Sequence, residues 1–371
     1  MDPQDQFCHN PDCSDRGQSG LSNIRIHSQK EQRYCCSTCG QTFAATMGTP
    51  FYRLRTATDV VTVVLTLLCH GCPLQAIVAA FGFDERTVAQ WQARAGEHCQ
   101  EVHRHLVEQG QVELGQVQAD ELWVKLVGQR LWMAMALAVP SRLWLGGVIS
   151  PHRDRALITE LVQKVRACAR SLALLVCVDG LASYVTAFLR VFRDPVRTGR
   201  RGRPRLVTEP SLLIGQVIKR YARRRVVKVV HRVVRGTAQA IARVLKATGG
   251  TVINTAYIER LNATFRSALA PLARRGRALA HKEAVLTAGM YLVGCAYNLC
   301  WYHDSLRLAA PENVARKWQE RTPAMAAGLT DHRWTLRELL LLKVPLPAWV
   351  APKRRGRPPK LKLQPTMAMA A

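Results

Sequence analysis

The sequence predicts a multidomain chain in which a cysteine-bearing segment and a pair of helices precede a larger α/β domain. The chain has 371 residues, more than one ordinary core requires. Polar and cysteine residues fill positions 1–50, and the hydrophobic period changes from helical to strand-like near residue 113. We therefore expect an α/β domain over 113–305, a helical C-terminal segment over 306–350 and a disordered basic tail over 351–371.

The N-terminal segment carries cysteines at metal-ligand spacing. Cys8 and Cys13 form a CxxxxC pair, and a CxxC pair at Cys36 and Cys39 follows after 22 residues. Four thiolates suit a tetrahedral zinc ion (Zn²⁺), and a segment of about 40 residues buries too little apolar surface to fold unaided. We therefore predict a zinc ribbon over 1–50, with reduced, metal-free cysteines as the alternative. Other candidate ligands are Cys35, His9 and His27.

Residues 55–105 are expected to form a helix-turn-helix. Two short helices are predicted to meet at residues 82–84, where Asp84 can cap the second helix. That helix has an apolar face formed by Val88, Trp91 and Ala95. The opposite face carries the side chains predicted to contact bases or phosphates in the major groove, namely Arg86, Gln90 and Arg94. The alternative is an ordinary helical pair with a solvated charged face.

The larger domain begins with strands. Alternating apolar residues and turn signals predict a three-stranded antiparallel meander, then a helix, then a buried strand ending at Asp179 and Gly180. The predicted elements are strands over 117–127, 131–139 and 143–149, a helix over 155–170 and a strand over 172–178.

Three acids stand at informative places in this pattern. Asp120 lies on the first strand and points to an otherwise apolar side, which is costly unless the carboxylate binds a cation or lines a wet cleft. Asp179 ends a buried strand, where α/β sheets place catalytic groups. Glu259 lies on a predicted helix, with Asn262 and Arg266 on the same face.

Acids on the first strand, the fourth strand and a later helix have the order of an RNase H-like domain. Carboxylate oxygens suit Mg²⁺ or Mn²⁺. Two such ions would activate water or a 3′-hydroxyl and stabilise the leaving oxygen of a phosphodiester. For each acid taken separately, a salt-bridged structural carboxylate is the alternative.

The charge indicates a polyanionic partner. The formal net charge is +27, and between residues 190 and 282 there are 23 Lys or Arg against three acids, so +20 lies in this quarter. We predict a basic insertion over about 190–250 and a nucleic-acid partner. The N-terminus lacks a signal segment, and the uncharged stretch 284–303 contains Asn298, so we expect no membrane partner and a cytoplasmic, nucleoid-associated protein.

Several motifs together resemble insertion-sequence transposases of the type that fuses InsA and InsB. They are the cysteine pairs, QRYCCSTCGQTF, the helix-turn-helix, ADELW, VDGLASY and IERLNATFRSALAPLARR, across about residues 8–303. The most specific part is ER-x-N-x-x-x-R, formed by Glu259, Arg260, Asn262 and Arg266. About 80 residues separate Asp179 from Glu259, which predicts an inserted segment.

This resemblance implies a DDE transposase that binds terminal inverted repeats and target DNA, as a homo-oligomer in the DNA complex. It implies that Asp120, Asp179 and Glu259 form the catalytic triad, with Arg266 as the basic residue that follows the acid. The zinc ligands that it implies are Cys8, Cys13, Cys36 and Cys39.

Two short basic segments resemble AT-hooks, in which Arg-Gly-Arg-Pro lies in a narrow A·T minor groove. They are GRRGRPR at 199–205 and KRRGRPPKLK at 353–362. The side chains predicted to bind DNA there are Arg201, Arg203, Arg355 and Arg357. The alternative is a solvated basic linker.

These observations favour a DNA transposase that cleaves and joins strands. Two rivals stay open. A non-catalytic DNA-binding regulator derived from a transposase needs the DNA-binding modules but not all three acids. An RNase H-like nuclease needs the acids but performs no strand transfer.

Overall fold

The computed structural model describes residues 2–197, 199, 202–223, 225–273, 282–310 and 317–351. The chain divides into two compact units, residues 1–47 with 345–371 and residues 48–344. The cysteine-bearing segment is thus separate from the rest. The predicted helix-turn-helix and the α/β domain belong to the same unit.

The smaller unit contains a three-stranded antiparallel sheet. Its strands are β1 (Ile24–Ser28), β2 (Arg33–Cys36) and β3 (Thr42–Ala44). The buried cluster of this unit contains Ile24, Tyr34 and Phe43 together with cysteines. Such a core is small, as expected for a segment that needs further stabilisation.

The larger unit begins with helices α1 (Thr58–Cys69), α2 (Leu74–Phe81) and α3 (Glu85–His103). The Asp84 carboxylate accepts a hydrogen bond from the Arg86 backbone N–H at 2.8 Å, so the predicted cap is present. Helix α3 was predicted to be short, but it spans 19 residues. Its buried face continues past Ala95 to Cys99 and Val102, and this packing carries the helix onward.

A mixed sheet of six strands follows within the described residues, in the order β11-β10-β7-β4-β5-β6. The strands of this sheet are β4 (Gln116–Leu126), β5 (Gln129–Ala138), β6 (Trp144–Ser150), β7 (Leu175–Asp179), β10 (Leu213–Ala222) and β11 (Arg225–Arg235). Strands β8 (Arg193–Val196) and β9 (Arg205–Thr208) pair with each other in a separate two-stranded sheet. Strands β4, β5 and β6 form the predicted antiparallel meander. Strand β7 is parallel to both β4 and β10.

Helices cover both faces of this sheet. They are α4 (Arg155–Cys168), α5 (Ala182–Val191), α6 (Ala238–Ala247), α7 (Ala256–Ala268) and α8 (Glu283–Leu299). Asn262 of α7 bonds Asp120, whereas Tyr184 of α5 bonds the next strand residue, Glu121. Because successive strand residues face opposite sides, α5 and α7 lie on opposite faces.

The region predicted as a basic insertion differs from expectation. Strand β10 lies in the main sheet beside β7, and α6 packs on it through Ile241 and Leu245. The apolar part of β10 is short and runs directly into Lys219 and Arg220. Its strand pattern was therefore hidden by the charge that follows.

The segment predicted to be helical over 306–350 is mostly irregular where it is described. Its helices are α9 (Pro323–Ala326) and α10 (Leu336–Leu341), and strands β12 (Leu308–Ala309) and β13 (Trp318–Gln319) form a small pair. Prolines at 311, 323, 345 and 347 limit helix length.

The segment Glu283–Leu306 is long and apolar enough to span a membrane by composition, but 78% of its most apolar window is buried inside the protein. Most of this segment is α8, which packs against α3 and β6. Its hydrophobicity is that of a core helix.

The contact between α3 and α8 can be tested at Gly96. A Cβ atom there would lie 2.4 Å from Ala288 Cα in α8. In an isolated helix Gly→Ala stabilises by about 1 kcal/mol, but overpacking here should make Gly96→Ala destabilising by about 1–3 kcal/mol. Urea unfolding would measure the difference. The control is Glu97→Ala at the exposed neighbouring position, expected to change stability by about 0.5 kcal/mol or less. A stabilising Gly96→Ala variant would contradict the close crossing.

Candidate metal centres

Two of the predicted acids meet where β4 and β7 run side by side. Ala119 of β4 lies opposite Val178 of β7, so the next residues, Asp120 and Asp179, emerge together. The Leu181 backbone N–H donates to Asp179 Oδ1 at 2.9 Å, which fixes this carboxylate as the chain turns into α5. The parallel pairing of the two strands therefore brings acids that are far apart in sequence to one place.

A third acid, Glu121, belongs to this cluster and was not predicted. One carboxylate oxygen from each of Asp120, Glu121 and Asp179 lies within 4.8 Å of the other two. The side chain of Glu121 is only 1% exposed. A signal was present in the sequence, because Glu121 is a second acid within an apolar strand and lies next to Asp120.

Two partners stabilise the buried Glu121 carboxylate. The Tyr184 hydroxyl donates to Glu121 Oε2 at 2.7 Å, and Arg153 forms an ion pair with Oε1. Arg153 also lies 3.8 Å from Asp179 Oδ2. One guanidinium thus neutralises part of the charge of two acids in the cluster.

Helix α7 carries the remaining predicted residues of this site. Asn262 Nδ2 donates to Asp120 Oδ2 at 2.8 Å, so the helix packs directly against the first acid. Glu259 is placed differently, since its Oε1 accepts from Lys219 Nζ at 2.6 Å and from the Thr255 hydroxyl at 2.9 Å. It lies outside the group of three acids, at the edge of the site. Arg266, in the last turn of α7, is partly buried.

Burial and the crowding of negative charge shift the pKa values of groups in this site. Burial, aided by the charges of Glu121, Asp179 and Glu259, raises the pKa of Asp120 to about 7. Burial also raises the pKa of Tyr184 well above its ordinary value. Glu259 is thus close enough to act on Asp120 although a lysine holds it.

The donor set fits a hard divalent cation. Carboxylate oxygens are the ligands that Mg²⁺ and Mn²⁺ prefer. Burial and the neighbouring acids both raise the pKa of Asp120, and a cation among these oxygens would offset the repulsion between the acids. The cluster can therefore hold a metal ion, which is a property of its geometry and does not by itself define an activity.

The second candidate centre lies in the smaller unit. Cys8 Sγ is 3.6 Å from Cys39 Sγ and Cys13 Sγ is 3.9 Å from Cys36 Sγ, and all four sulfur atoms lie within 4.8 Å of one another. Thiolates around a tetrahedral zinc, with bonds of about 2.3 Å, stand about 3.8 Å apart. The predicted four cysteines therefore have the spacing of a zinc site.

The alternative ligands Cys35, His9 and His27 lie outside this group of four. Cys35 Sγ contacts the carbonyl oxygens of Cys36 and Gly40, and the His9 ring packs on Phe7 and Phe43. Although burial opposes it, hydrogen bonds from the Gln41 backbone and Asn10 help to lower the pKa of Cys39 to about 7. A thiol of this kind is readily converted to the thiolate that binds metal.

The residues predicted to bind DNA differ in their solvent exposure. Arg86 and Gln90 are exposed on α3, but Arg94 is partly buried and donates to the Tyr52 carbonyl. Arg203 is exposed between β8 and β9. The other predicted arginines lie outside the described residues, namely Arg201, Arg355 and Arg357.

No protein-family model and no curated protein matches this chain.

The cysteine centre can be tested with neighbouring substitutions. Cys36→Ser should abolish stoichiometric zinc binding because it removes one of four clustered thiolates. Cys35→Ser is the matched control and should retain about one zinc per chain. Zinc would be quantified by mass spectrometry of the purified proteins. Equal zinc content in the two variants would contradict the assignment of ligands.

The buried carboxylate can be tested through its hydroxyl partner. Tyr184→Phe leaves Glu121 with one hydrogen bond fewer in a buried place, so the free energy of unfolding should fall by about 1–3 kcal/mol. Tyr221→Phe provides the control, because Tyr221 is 64% exposed. Denaturant unfolding of both variants is the measurement. A loss equal to that of the control would show that the hydroxyl does not support Glu121.

Proposed function

We propose that this protein is a DNA transposase of the DDE type, with a zinc ribbon and an RNase H-like core. The meander β4-β5-β6, followed by α4 and by a strand parallel to β4, supports that description of the core. The observation that carries the proposal is the meeting of Asp120 and Asp179 on adjacent strands, beneath the helix that carries Glu259.

The chemistry requires divalent metal, Mg²⁺ or Mn²⁺, which would activate water or a 3′-hydroxyl and stabilise the leaving oxygen of the phosphodiester. Asp120 and Asp179 would hold the metal from the sheet. Asn262 orients Asp120 through its hydrogen bond of 2.8 Å. Arg153 contacts both Glu121 and Asp179 and limits the repulsion between them.

Glu259 is proposed as the third acid, which requires its side chain to leave Lys219. The ion pair is accessible to water, with the Lys219 side chain 36% and the Glu259 side chain 47% exposed. Exposed pairs of this kind contribute only about 0–1 kcal/mol. A phosphate group at the site would compete for Lys219 and release Glu259 toward Asp120.

DNA binding is proposed to use several basic surfaces. Arg86 and Gln90 project from the first half of α3 and suit a major groove, and the zinc ribbon would help to locate the terminal inverted repeats. Arg266 would bind a phosphate beside the acids. The formal charge of +27 favours DNA as the partner, for both transposon ends and target. We propose a cytoplasmic, nucleoid-associated protein that acts as a homo-oligomer on DNA.

The decisive substitution is Asp179→Asn, which keeps the shape of the side chain and removes a metal ligand. We expect a loss of at least about a thousandfold in metal-dependent strand transfer on plasmid DNA, with DNA affinity unchanged. The matched control is Asp331→Asn, since the Asp331 side chain is 94% exposed. Strand transfer by Asp179→Asn at the rate of the control would refute the catalytic assignment.

The products distinguish the proposal from its rivals. Joining of a labelled 3′ end to a supercoiled target supports a transposase, and cleavage without joining supports a nuclease of the same fold. DNA binding with neither reaction, in the presence of Mg²⁺ or Mn²⁺, would indicate a non-catalytic regulator.

A further inference from the structure

Strands β10 and β11 extend beyond the sheet as a two-stranded arm. Strand β7 ends at Asp179, which pairs with Val217, but β10 continues to Ala222 and β11 returns from Arg225. We call residues 218–230 the basic arm. Its strands pair with each other, and β11 is the edge of the sheet.

The cations of the basic arm that the structure describes are exposed, and within the described residues they form no ion pair apart from that of Lys219. Four of them lie around the tip, namely Arg220, Arg223, Arg225 and Lys228. The sequence offers no acid between Glu209 and Glu259 to balance them. Such uncompensated charge repels itself and is stabilised by a polyanion.

The arm leads directly to the acidic cluster. Val217 shares a face with Asp179, and Lys219, two residues further along the strand, lies on that same face. There Lys219 Nζ contacts Glu259 at 2.6 Å. A phosphate chain bound along the arm would therefore reach the edge of the carboxylate site.

We propose that the basic arm is a DNA-binding element that holds the phosphate backbone of the duplex beside the carboxylates. This inference rests on the proposed function, because it assumes that DNA is the substrate of that site. A two-stranded ribbon is also narrow enough to follow a groove of the duplex. The arm binds phosphates and adds affinity without sequence choice.

The competing partner for the arm is a second copy of the chain, because the arm has exposed apolar side chains. Tyr221, Val226 and Val227 are exposed, and an edge strand can pair with another edge. The arm of a second copy carries the same positive charge, however, and two such edges repel each other. Charge complementarity therefore favours DNA.

The test combines four substitutions, Arg220→Gln, Arg223→Gln, Arg225→Gln and Lys228→Gln. The control removes the same charge at four exposed positions outside the arm, by Arg155→Gln, Arg190→Gln, Arg243→Gln and Lys246→Gln. Binding to a random-sequence duplex of about 30 base pairs would be followed by fluorescence anisotropy over a salt series, without divalent metal. Circular dichroism would establish that both variants are folded.

We expect the arm variant to bind at least about tenfold more weakly. The slope of log K against log salt concentration should fall by up to about 3.6, since each of the four lost phosphate contacts removes about 0.9. The control should change the slope by less than about 1. Equal slopes for the two variants would overturn the inference while leaving the proposed function intact. Failure of the unmodified protein to bind the duplex would instead overturn the proposed function.

A second measurement needs no substitution. Acetylation of lysines in the unmodified protein, read by mass spectrometry, should show Lys228 protected when the duplex is added and Lys246 unchanged. Protection of Lys228 that rises with protein concentration in the absence of DNA would assign the arm to contact between copies, and would overturn the inference.

Discussion

Mutual repulsion among carboxylates is the constraint around which the larger unit is arranged. Asp120, Glu121 and Asp179 converge within 4.8 Å, two of them from neighbouring positions on a single strand. Separate elements supply the compensation. Arg153 precedes α4, Tyr184 lies on α5, and Asn262 lies on α7, so helices from both faces of the sheet meet at this point.

The two neighbouring acids on β4 face opposite sides of the sheet and have different surroundings. Asp120 faces α7 and accepts a hydrogen bond from Asn262, whereas Glu121 faces α5 and is closed in by Arg153 and Tyr184. Because adjacent side chains leave a strand on opposite sides, one dipeptide serves both a polar site and an internal ion pair. The inner acid is held by Arg153 and Tyr184, and the outer acid is the one that we propose to bind metal.

Much of the local structure follows from sequence alone. The meander, the buried strand that ends at Asp179 and the cap at Asp84 all depend on short-range pattern and turn chemistry, so they are predictable. The place of Glu121 in the cluster was not predicted, because the residues that stabilise it lie 32 and 63 positions away in the chain. Strand β10 was not predicted because its short apolar part runs directly into Lys219 and Arg220, and its place in the sheet depends on its pairing with β7. Whether Glu259 joins the acids depends on the exchange of Lys219 for another partner, which no pattern in the sequence encodes.

Helix α3 has a mechanical consequence. Its first half presents Arg86 and Gln90 outward, and its second half is locked against α8 at Gly96. With a rise of about 1.5 Å per residue, the helix is a rigid element that runs from these exposed side chains into the body of the larger unit. Because its second half is packed against α8, the helix holds Arg86 and Gln90 at a fixed position relative to the rest of the larger unit.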